Sequence, residues 1–74
     1  MDTRNLVKMA NQIGDFFSSW PDQTEASKET ANHLRKFWAP RMRHALLDHV
    51  DQHGGEGLND FVLSSIHAHK DLLN

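Results

Sequence analysis

The 74-residue chain contains no cysteine. That excludes a disulfide framework, a zinc–thiolate site and a thiol redox pair. Long apolar runs are missing as well, and nothing approaches the roughly 20 consecutive apolar residues of a membrane span. The segment Met1-Asp2-Thr3-Arg4 lacks the apolar stretch of a secretory signal, so the expected location is cytoplasmic, with no membrane partner. Charge of one sign is scarce. Eight Lys/Arg stand against ten Asp/Glu, a formal net charge of -2, so the whole molecule is no electrostatic trap for nucleic acid. Neither strand-like alternation nor an Asn-Gly or Asp-Gly hairpin turn occurs. A chain this short makes one domain at most, and such a core rarely supplies more than about 3–5 kcal/mol. Without disulfides, a partner chain is the expected support.

What the sequence does hold is helical periodicity. Leu6, Met9, Ala10, Ile13, Phe16, Phe17 and Trp20 recur at spacings of three and four, which predicts a helix over about 3–19, capped by Asp2 or Thr3. Gly14 within it costs about 1 kcal/mol relative to alanine and suits close approach of another helix. Asp22 and Glu25 resemble a capping box and open a second helix, about 23–38, with a stripe of Ala26, Thr30, Leu34, Phe37 and Trp38. A third helix is expected over about 41–52, with Met42, Ala45, Leu46, His49 and Val50 inward, and a fourth over about 59–73. Gly54, Gly55 and Gly57 stop the third helix and make a flexible joint over 54–57, which leaves the fourth free to pack on the bundle or on a partner. The expected fold is a single all-α domain, 1–74, a small antiparallel bundle of three to four helices.

The densest stretch is His33 to Leu47. Pro40 suits the first position of a helix, and it pushes Ala39 out of the α region. The resulting corner sets Phe37 and Trp38 on one side and Arg41 and Arg43 on the other. Two readings stay open. Arg35, Phe37, Trp38, Arg41 and Arg43 form a partner-binding patch, with Trp38 as the anchor; or the aromatics fill the core and the arginines are a solvated face. A third reading, phosphate neutralisation with base stacking by the same residues, is set against the acidic net charge.

Catalytic chemistry finds little footing. Of six histidines, His49 and His53 share a helical face, while His67 and His69 do not; no HExxH spacing supplies three convergent metal ligands. Ser18, Ser19, Ser27, Ser64 and Ser65 fall within or at the ends of predicted helices, away from any strand–turn–helix elbow. Gly54-Gly55-Glu56-Gly57 lacks the lysine and hydroxyl of a phosphate-binding loop. No catalytic, cofactor-binding or metal-ligating residue is therefore expected.

NLVKMANQIGDFF near the start, a WPD break and then ANHLRKFWAPRMRHALLDHV resemble the delta subunit of the soluble NAD-dependent formate dehydrogenases. The likeness covers roughly residues 5–50 and is most specific at FWAPRMR. The resemblance implies a small accessory subunit of a cytoplasmic molybdenum- or tungsten-dependent assembly. Its catalytic alpha subunit would hold bis-molybdopterin guanine dinucleotide and iron–sulfur clusters. Beta and gamma subunits would carry FMN and further clusters. The delta subunit would bind no cofactor, would associate with alpha and through it with beta and gamma, and would aid assembly, stability or cofactor loading.

Overall fold

Asp2 starts the first helix, α1 (Thr3–Phe17), by accepting a hydrogen bond from the Arg4 amide at 2.9 Å. That bond stabilises the charged form and holds the Asp2 carboxyl below its ordinary range. The computed structural model describes residues 2–74; Met1, the first residue of the expected domain 1–74, lies outside them. The helix stops at Phe17, two residues short of the expected end, because the next residues make a sealed turn. The hydroxyls of Ser18 and Ser19 donate to the Asp15 and Phe16 carbonyls. Gln23 Nε2 then donates to the Ser18 and Trp20 carbonyls at 2.9 and 2.8 Å.

The second helix, α2 (Gln23–Phe37), is capped by Asp22, whose carboxylate accepts from the Glu25 amide. Its buried face is small-sided: Ala26, Thr30 and Ala31 are fully enclosed, with Leu34. Thr30 returns its hydroxyl to the Ala26 carbonyl at 2.9 Å, so the polar group is satisfied inside the core. Ala39 is extended (φ -59°, ψ 148°) and Pro40 occupies the first position of α3 (Pro40–His53). Gly54 ends α3 in the left-handed region, φ 65°.

The glycine stretch is a tied turn rather than a loose joint. Asn11 on α1 donates to the Gly57 carbonyl and accepts from the Asn59 amide, at 3.0 and 2.9 Å. His49 Nε2 donates to the Glu56 carbonyl at 2.7 Å. Asn59 then caps α4 (Asp60–Ala68), accepting from the Val62 amide at 2.8 Å. Val62 and Ile66 are fully buried, so α4 packs on the bundle itself, against α1 and α2. Gly14 makes the α1 approach possible: a methyl group there would strike Val62 Cγ2. Ser65, also fully buried, donates to the Ser27 carbonyl at 2.6 Å and bolts α4 to α2.

The expected fourth helix over 59–73 is broken. His69 leaves helical geometry (φ -129°, ψ 34°), and a one-turn α5 (Lys70–Leu73) follows. No glycine or proline marks the break; tertiary bonds do. Leu73 turns into the core, Lys70 pairs with Asp51 at 2.8 Å, and the Leu72 and Leu73 carbonyls accept from Arg35 and Arg43. The whole is an all-helical bundle, with no strand among the described residues, around a core of Leu6, Leu34, Trp38, Leu46, Val50, Val62, Ile66 and Leu73.

Candidate protein-docking face

The apolar stripes of α1 and α2 are wider than the bundle can cover. Leu6, Ala10, Gly14, Ala26 and Leu34 are buried within the bundle. Three large residues of the same stripes stay outside: Phe37 is 72% exposed, Phe16 66% and Met9 40%. They border an open groove of about 530 Å³ between α1, the end of α2 and the start of α3, floored by Ile13, Phe17, His33, Trp38 and Met42. Scattered single apolar residues are ordinary on a protein surface, but a contiguous patch marks a binding face.

The groove is lined by rings in contact. Phe16 meets Phe17 edge-on at 5.0 Å, Phe17 meets Trp20 at 5.2 Å and His33 at 6.0 Å, and His33 tilts against Phe37 at 4.7 Å. Edge-to-face pairs at these separations fix ring orientation. The only polar side chains in the lining are Gln12 and His33. The groove offers no carboxylate pair, no nucleophile with a base and no convergent cations, so its chemistry is recognition by shape and apolar contact.

The five residues expected to form a partner patch are divided by the fold. Trp38 is 5% exposed, belongs to the core and reaches the surface only as part of the groove floor, so it does not protrude from this chain as the expected anchor would. Phe37, its neighbour, points outward instead. Arg43 is half-buried and its guanidinium donates to the Trp38, Arg35 and Leu73 carbonyls at 3.0, 3.1 and 3.3 Å. It fastens the end of α2 and the corner to the C-terminal turn. Arg35 donates to the Leu72 carbonyl at 2.9 Å. Arg41 is exposed and its side chain has no hydrogen bond or ion pair among the described residues. Of the five, Phe37 and Arg41 are the ones presented to solvent without an internal task.

Sequence reasoning missed the α1 half of this face. Met9 and Phe16 read as core because they keep the period of Leu6 and Ala10. The available signal was breadth: seven apolar residues in α1 make a stripe too wide for one buried seam.

The remaining clusters are sparser. The His49 and His53 rings lie 5.8 Å apart on α3, with His49 engaged to the Glu56 carbonyl. Among the described residues no three His, Asp or Glu side chains converge as a metal site, and no helix is long and apolar enough to cross a membrane.

The class these features define is a small all-α bundle with an open aromatic face. A family model, that of the NADH-dependent formate dehydrogenase delta subunit, matches residues 5–66, which takes in most of α1, all of α2 and α3 and most of α4. The chain belongs to that family. Searches of the curated proteins and of the solved structures each returned no significant match.

Proposed function

We propose that the chain is a non-catalytic accessory subunit that binds the catalytic alpha subunit of a cytoplasmic NAD-dependent formate dehydrogenase. Through alpha it associates with the beta and gamma subunits, and it supports assembly, stability or molybdenum-cofactor loading. In this reading bis-molybdopterin guanine dinucleotide, the iron–sulfur clusters and FMN belong to the partner subunits. The observation that carries it is the groove bordered by Phe16 and Phe37, an aromatic surface left uncovered in a chain with few large apolar residues to spare. The absence of cysteine agrees with a subunit that carries no cluster. Nucleic-acid binding is less well served, since Arg35 and Arg43 spend their donors on the protein's own carbonyls.

The test is co-expression of the tagged chain with the other formate dehydrogenase subunits. The expected result is alpha retained at fixed stoichiometry, or alpha with reduced molybdenum content when the chain is omitted. The absence of both effects would contradict the proposal.

A further inference from the structure

We infer that the groove between α1 and α2 receives one amphipathic helix of the partner subunit. The helix lays an aliphatic ridge along the aromatic floor and sets carboxylates against Lys36 and Arg41. The inference rests on the accessory-subunit reading and names what that subunit's face recognises.

Three observations carry it. The first is shape. The exposed rings of Phe16 and Phe37 stand on α1 and α2, and Phe17 and His33 lie between them. A channel bounded by two helices accepts a third in the way helix-in-groove recognition does, read by anchors at i, i+3 or i+4 and i+7. A second copy of this chain would present the same concavity, and two concave faces opposed leave the space between them unfilled.

The second is the charge of the lining. No Asp, Glu, Lys or Arg contributes to it, and Gln12 and His33 are its only polar members. A segment entering it must be apolar on the inserted face, because a charge buried there would find no counter-ion. The third is the charge beside it. Lys36 precedes Phe37, and Arg41 precedes the groove residue Met42. Both are exposed, and neither makes an ion pair among the described residues, where the pairs are Arg4–Asp2 and Lys70–Asp51. Two unpaired cations, each next in sequence to a groove residue, select a helix with Asp or Glu flanking its ridge.

The experiment uses the co-expressed complex. A photo-cross-linking phenylalanine analogue replaces Phe37 in one preparation and Phe16 in another, and the cross-linked peptides are sequenced. The expected result is that both positions label one segment of a partner subunit, with helical apolar spacing and at least one flanking carboxylate. In parallel, the double variant K36E/R41E is expected to lower capture of the partner tenfold or more, and reversing the flanking carboxylate to lysine is expected to restore it. Labelling of a second copy of this chain, or of a segment without that spacing or without carboxylates, overturns the inference. So does normal co-purification with no label from either position, a result that leaves the accessory-subunit reading standing. Failure of the unlabelled wild-type chain to co-purify with any subunit, together with an unchanged molybdenum content of alpha when the chain is omitted, overturns that reading itself.

Discussion

Phe37 and Trp38 are adjacent in the chain and opposite in role. Trp38 is core, so Trp38→Ala should cost about 3–5 kcal/mol, as much as a domain of this size is expected to have, and the variant should be largely unfolded by circular dichroism. Phe37→Ala removes an exposed ring and should shift stability by no more than about 0.5 kcal/mol. The arginines divide in the same way. Arg43→Ala strips a charged donor from three carbonyls and should cost about 1–3 kcal/mol in urea unfolding, whereas Arg41→Ala should leave the unfolding curve in place and loosen only the complex. The corner's location was legible from Pro40, but which of two neighbouring aromatics faces inward was not. That choice depends on where α3 and α5 pass, and one of Arg43's carbonyl partners, Leu73, lies 30 residues along the chain from it. Asp2 adds a pH prediction. Its carboxyl is held low by the Arg4 amide, so its contribution is present above the ordinary carboxylate range and is lost as pH falls through its lowered pKa. Protection of the Arg4 amide from hydrogen exchange, measured against its intrinsic rate at each pH, should therefore fall in acid, and should do so less in Asp2→Asn, which caps without titrating.

At the scale of the elements, the α1–α4 contact depends on Gly14. Alanine there gains about 1 kcal/mol of helix propensity, but its methyl meets Val62, which is fully enclosed and has nowhere to move. Overpacking of this kind costs about 1–3 kcal/mol, so Gly14→Ala should lower the melting temperature, and adding Val62→Ala should return part of the loss. Asn11 is the other tie. Asn11→Ala leaves the Gly57 carbonyl and Asn59 amide without their partner and should cost about 1–3 kcal/mol in urea unfolding. Helix existence, the Asp22 cap, the place of Pro40 and the stop at Gly54 followed from local chemistry that acts within a few residues. The tied glycine turn and the break at His69 did not, because Asn11, Arg35 and Arg43 read as ordinary surface residues until the fold brings distant carbonyls to them.

For the whole molecule, the balance is between a core that is satisfied and a face that is not. Its buried side-chain polar atoms all have partners among the described residues, and its principal extents are only 33 × 21 × 17 Å. Exposed Phe16, Phe37 and Met9 therefore represent apolar surface that folding alone leaves in water. Docking on the catalytic subunit would remove it. The most direct test is the affinity of the double variant Phe16→Ser/Phe37→Ser for the co-expressed alpha subunit, measured beside its unfolding curve. The expected result is a loss of at least about 2 kcal/mol of binding, near thirtyfold, with the isolated fold as stable as the wild type. Unchanged capture of alpha by that variant would contradict it.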